Sequence, residues 1–123
     1  MSKKVVLVGH CGPDSSFLRI AISRVGKDVE VLSADDGREL KRVLDQDPDL
    51  LLFNRQLDFG FDDDEGVAVM RKLRPHYPGL KMMLVSNYAE AQAAAVAEGA
   101  LPGFGKRELN SPRVQELIRE ALA

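Results

Sequence analysis

His10 and Cys11 stand side by side between Gly9 and Gly12, an imidazole next to a thiol in a segment free to turn tightly. Such a pair serves metal ligation or nucleophilic catalysis. Zinc needs three or four ligands, and the chain offers one cysteine and two histidines, so no metal centre is expected. A nucleophilic cysteine needs activating neighbours, and the sequence around Cys11 supplies none. Gly9-His10-Cys11-Gly12 carries neither the dinucleotide fingerprint nor a Gly-Lys-Ser/Thr ending, which argues against a nucleotide cofactor. A second concentration of chemistry, Asp58 to Glu65, places five acids in eight positions. It lacks the ligand spacing of a calcium loop and reads as a solvated loop that feeds negative charge to the next helix. Phe59 and Phe61 within it are expected to be exposed, either folding back onto the sheet edge or forming a partner-binding tip.

The elements that must position these residues follow from periodicity. Buried strands are expected at Lys4 to Val8, Val29 to Leu32, Asp49 to Phe53, Leu80 to Val85 and Ala100 to Gly105. Helices alternate with them. The first is capped by Asp14 and runs to Val25, with Phe17, Leu18, Ala21, Ile22 and Val25 inward and Gly26 as its stop. Others span Gly37 to Asp45, Glu65 to His76 and the alanine-rich Tyr88 to Glu98. The last begins after Asn110 or Ser111 with Pro112 in its first turn. Five strand–helix alternations with wholly apolar strands predict an α/β fold, a doubly wound parallel sheet covered on both faces. Ligand crevices in such folds lie at the carboxyl ends of the strands. That rule selects Gly9, His10, Cys11 and Gly12; Asn54, Arg55 and Gln56; Ser86 and Asn87; and Lys106 and Arg107.

With 123 residues the chain suits one domain spanning 1–123. Its formal charge is -2, with 17 basic and 19 acidic side chains, which gives no electrostatic reason to expect nucleic acid or membrane binding. Apolar runs are too short for a transmembrane span, and the start is too short for a signal peptide. One cysteine forms no internal disulfide. The expectation is a cytoplasmic domain.

Four motifs in order resemble the receiver domain of two-component response regulators, over essentially the whole chain. Pro48-Asp49-Leu50-Leu51-Leu52-Phe53-Asn54 resembles the third strand that ends at the family's phosphoacceptor. Glu65-Gly66 followed by Val67 to Arg74 resembles the acidic-glycine pair and helix that come next. Ser86 falls where the family keeps a serine or threonine, and Gly99-Ala100 through Lys106 resembles the fifth-strand motif with its terminal lysine. The resemblance implies a flavodoxin-like (βα)5 fold with strand order 2-1-3-4-5.

Departures from the pattern decide what it implies for function. The phosphoacceptor position is Asn54, and an amide forms no acyl phosphate. The acidic pair that helps hold Mg²⁺ reads Gly9 and His10, which offer no carboxylate to a hard cation. Gly103 stands at the switch aromatic, Phe104 next to it turns to the opposite face, and Arg107 replaces a proline. With Lys106, and His10 when protonated, facing Asn54 and Ser86, the crevice is expected to be neutral to positive. Gly12, Ser86 and Lys106 are a candidate weak anion site; the alternative is that Lys106 hydrogen-bonds the Asn54 carbonyl oxygen and closes the pocket.

By analogy with the family, the face of the fourth helix, fifth strand and fifth helix carries protein contacts, so Tyr88, Gln92, Arg113 and Arg119 are candidate interaction residues. The reading is a non-enzymatic signalling module, without cofactor, whose partner is another protein or a second copy of itself. Two alternatives stand beside it. One is a working phosphorelay receiver using Asp58 as substitute acid, although that residue lies four positions past Asn54. The other is a small α/β enzyme or anion-binding protein using His10, Cys11 and Lys106. Cys11 after the first strand also resembles the small tyrosine phosphatases, but the position of their arginine, six residues past the cysteine, is Phe17 here.

Overall fold

The computed structural model describes residues 2–57 and 60–123. Five strands run β1 (Lys3–Val8), β2 (Val29–Ala34), β3 (Leu50–Asn54), β4 (Met82–Val85) and β5 (Leu101–Phe104). The helices between and after them are α1 (Gly12–Ser23), α2 (Gly37–Leu44), α3 (Gly66–Leu73), α4 (Ala89–Ala97) and α5 (Pro112–Leu122). All neighbouring strands pair in parallel in the order β2-β1-β3-β4-β5. The expected fold and strand order are therefore observed.

Strand residues alternate between two cores. Val6, Val8, Leu51, Phe53, Met82 and Leu84 face the layer of α2, α3 and α4. Val5, Leu7, Leu50, Leu52, Met83 and Val85 face α1 and α5. Both faces are dry, which is why the strands read as continuous apolar runs. Phe104 is buried in the α1/α5 layer, the face opposite the one that Gly103 presents to α4.

Several boundaries differ from expectation for identifiable reasons. Cys11, not Asp14, is the N-cap of α1, because Pro13 in its first turn starts the helix early and leaves Asp14 inside that turn. The same helix ends at Ser23, short of Gly26. Its inner stripe is Leu18, Ala21 and Ile22, so Phe17 is rotated out and is 59% exposed, contrary to expectation. α3 stops at Leu73 because Pro75 has no N–H to continue it. Phe61 is buried in the α2/α3/α4 core, folded back near Leu57 and Gly9, so it is not an exposed tip. Asp58 and Phe59 lie outside the described residues.

Arg74 is the C-cap residue of α3, and its guanidinium ties the amino edge together. It donates to the carbonyls of Tyr77, Pro78 and Leu80 and reaches across to Gly99 O at 3.0 Å. Gly99, at φ +95°, turns the chain from α4 into β5 against this side chain.

Candidate functional site

At the carboxyl end of β3, Asn54 is half-buried and its side chain points back at backbone. Nδ2 donates to Gly9 O at 3.2 Å and to Gln56 O at 2.8 Å. Two carbonyl acceptors demand an NH₂ group, so the amide is matched to this position and a carboxylate would face two like dipoles. Gly66 packs on the same strand end, where a Cβ would overlap Asn54 O.

His10, one residue past the left-handed Gly9, is 7% exposed. Its Nε2 lies 2.9 Å from Leu52 O, and since a carbonyl only accepts, that nitrogen carries the proton. Nδ1 keeps its lone pair and has no partner among the described residues. Burial chiefly, with help from the Lys106 charge, lowers the imidazole from 6.5 to about 4, against opposition from the Leu52 hydrogen bond and Asp14. His10 is neutral at pH 7, which removes the second positive charge the sequence allowed.

Lys106 does not reach Asn54. Its ammonium meets Asp14 Oδ2 at 2.6 Å, a partner that comes from the first turn of α1. Bonded to Lys106, Asp14 is held below the usual carboxylate range despite partial burial. One carboxylate thus stands in the crevice after all, from a residue that sequence reasoning had used as a cap. With Lys106 paired to Asp14, Arg55 is the remaining charged side chain of the pocket lining, so the crevice keeps a positive side, and the proposed closure by a Lys106–Asn54 hydrogen bond is absent.

Asn54, Arg55, Gln56, Val85, Ser86, Asn87, Tyr88 and Lys106 line a pocket of about 130 Å³. Of the three residues assigned to a candidate anion site, Ser86 and Lys106 come together there, while Gly12 lies outside the lining. Ser86 is buried and its Oγ accepts from Tyr88 N–H at 3.1 Å. Arg55 stacks over the Tyr88 ring at 4.7 Å and covers one side. The Mg²⁺ that the family resemblance would bring here does not fit the donors present. Asn54 offers one neutral amide oxygen and no negative charge, His10 is a nitrogen donor turned into Leu52, and Asp14, the one carboxylate at hand, is occupied by a cation. Among the described residues no three His, Cys, Asp or Glu side chains converge.

The β4–β5 end is fixed by two amides the sequence did not single out in this role. Gln92 turns inward from α4 and donates to Leu84 O, Ser86 O and Phe104 O, while its Oε1 accepts from Gly103 N at 3.2 Å. A Cβ at Gly103 would overlap Leu84 O and crowd Gln92 Oε1. Asn87 Oδ1 accepts from Arg107 N, and a Cβ at Gly105 would overlap it. Two glycines alternating through a short strand were the available signal, since they mark close approach of other groups.

Of the four candidate interaction residues, Tyr88 is outward and 57% exposed. Gln92 is engaged as described. Arg113 bonds Glu108 at 2.8 Å and Gly103 O at 3.4 Å along β5. Arg119 pairs with Glu116 and sits beside Val25 and Gly26 at the opposite end of the sheet, so it does not share a face with Tyr88. No helix among the described residues is long and apolar enough to cross a membrane.

No protein-family model matches the chain, and no curated protein matches it in sequence. Solved structures do match. A response regulator from Thermotoga maritima superposes with a TM-score of 0.78 at 18% identity, covering 99% of this chain and 98% of that one. The non-phosphorylated receiver domain of the stress response regulator RcsB from Escherichia coli gives 0.77 at 15% identity, covering 98% and 95%. NtrX from Brucella abortus gives 0.77 at 22% identity, covering 99% of this chain but 27% of that one. At such identities the likeness is one of fold, and the fold, strand for strand, is that of response-regulator receiver domains.

Proposed function

We propose that this chain is a receiver-like signalling domain that acts by binding a protein partner rather than by accepting a phosphoryl group. The observation that carries this reading is the disposition of the crevice. Lys106 is neutralised by Asp14 at 2.6 Å, and the residue at the acceptor position is an amide committed to two carbonyls. Phosphoryl transfer rests on cationic neutralisation of the phosphoryl oxygens around an in-line nucleophile. Here Lys106 is paired, Arg55 is stacked on Tyr88, and the amide at the acceptor position is no nucleophile.

The Gln92 clamp supports a constitutive rather than switched surface. It bonds α4 to both β4 and β5 through four backbone groups and fills the space over Gly103. A phosphorylation signal conventionally moves side chains at this place; here they are locked into the backbone. Tyr88 and Val96, both exposed on the α4 side, remain available for contacts.

The test is incubation with a small acyl phosphate donor and Mg²⁺ followed by intact-mass measurement. No covalent mass gain is expected. A gain that disappears in Asp58→Asn would establish a phosphorelay receiver with a substitute acid and overturn the reading.

A further inference from the structure

A trough runs along the other end of the α2/α3/α4 face, away from the crevice. α2 packs chiefly on β2, and α3 on α4, which leaves a gap between α2 and α3. Gly37, Leu40, Lys41, Leu44, Leu73, His76 and Tyr77 line it, with a volume of about 580 Å³. It continues past Leu44 and Tyr77 into a depression of about 220 Å³ bounded by Asp47, Pro48, Gly79 and Leu80. Its floor is apolar: Leu40 and Leu44 belong to the core, with Leu73, Tyr77 and Leu80 packed against it.

The charge of the main cavity is one-sided, with Asp47 set apart in the depression beyond Leu44. Lys41 stands on the α2 wall, and no acid lines the main cavity. On α2, Arg38, Lys41 and Arg42 are exposed and form no ion pair among the described residues. The one acid of that helix, Glu39, is turned back to accept from Asp35 N–H. In a chain of net charge -2, three exposed basic side chains without an ion pair beside an apolar trough form a local positive surface, to which the carboxyl end of α2 lends a structural use only for Lys41 and Arg42.

We propose that the α2–α3 trough is a docking site for an acidic amphipathic helix of a partner protein. Its apolar side chains would enter over Leu40, Leu44, Leu73 and Tyr77, and its acidic flank would meet Lys41 and, next to it on the outer side of α2, Arg38. The dimensions agree. α2 has eight residues and is ~12 Å long at 1.5 Å per residue, which matches the span of apolar anchors at i, i+3, i+4 and i+7 on a partner helix. A second copy of the chain is a poorer occupant, because α5 already spends its apolar stripe, Val114, Ile118, Ala121 and Leu122, on its own core, and its Glu116 is paired with Arg119.

This assignment rests on the protein-binding reading above and deepens it. The probe is a synthetic helical peptide with leucines at the four anchor spacings and glutamates on the flanks, titrated into the ¹⁵N-labelled full chain. Amide shifts are expected at Leu40, Lys41, Leu44, Leu73 and Tyr77. The exposed double variant Arg38→Glu/Lys41→Glu should weaken binding about fivefold or more, as reversal of two surface charges implies. A peptide with lysine in place of glutamate should not bind. Shifts that map elsewhere, equal binding of the two peptides, or equal binding by the double variant would overturn the proposal. So would sedimentation of the chain with phosphatidylglycerol vesicles that the double variant abolishes, since that would assign the trough to a lipid surface. Phosphorylation of the chain would remove the wider reading, whereas absent peptide binding by an unphosphorylated chain removes this assignment alone.

Discussion

Replacing His10 by glutamine should flatten the acid limb of the stability curve. In the folded chain the ring is buried, donates from Nε2 to Leu52 O, and titrates at about 4 instead of 6.5. Its folded pKa is depressed, so the unfolded chain takes up the proton first. The neutral ring's contribution is fully present above pH 6.5 and is lost as the pH falls toward 4. At 1.36 kcal/mol per pKa unit the full effect is about 3 kcal/mol, and about 2 kcal/mol of it is developed by pH 5. That is a large part of the roughly 5–15 kcal/mol that holds a domain folded. Glutamine places an amide donor near the Nε2 position and cannot ionise, so His10→Gln retains the hydrogen bond while removing the proton site. Urea unfolding followed by circular dichroism at pH 7, 6 and 5 measures both proteins above the range where Asp14, with its lowered pKa, takes up a proton. The wild type should lose about 2 kcal/mol more than the variant over that window. Parallel curves, or an imidazole proton resonance of His10 that titrates above pH 6, would refute the burial argument.

Three further outcomes test the site and its supports. Asn54→Asp should not restore phosphorylation, as read by intact mass with an acyl phosphate donor. In urea unfolding it should cost about 1–3 kcal/mol, because a donor to Gly9 O and Gln56 O becomes an anion facing both. Gln92→Ala should destabilise by about 2–3 kcal/mol and raise hydrogen exchange at Gly103 N–H, since four backbone groups lose one partner. Arg74→Lys should cost about 2 kcal/mol in thermal or urea unfolding, because an ammonium cannot fork to the carbonyls of Tyr77, Pro78, Leu80 and Gly99 together.

Residue type and periodicity were enough for the architecture. Leu50 to Phe53 is apolar at every position because both faces of β3 are covered, and that pattern has one structural meaning in an alternating chain. The absence of an acid at Asn54, Gly9 and His10 is likewise a property of composition, visible before any coordinate. Local boundary rules did less well where two signals competed. Asp14 and Pro13 both mark a helix start, and the fixed proline φ prevailed over the preferred capping side chain.

What tertiary structure alone decided is the pairing of groups distant in sequence. Lys106 meets Asp14, 92 positions earlier, because β5 ends and α1 begins at the same, carboxyl edge of the parallel sheet. The charge of His10 depends on how deeply Leu52 and its neighbours bury it, and Gln92 points inward because Gly103 leaves it room. A sequence specifies which groups exist and, through periodicity, which side of an element they favour. Distance, dielectric and partner are set by packing across the sheet, and these determine whether a lysine is a free cation or half of an ion pair.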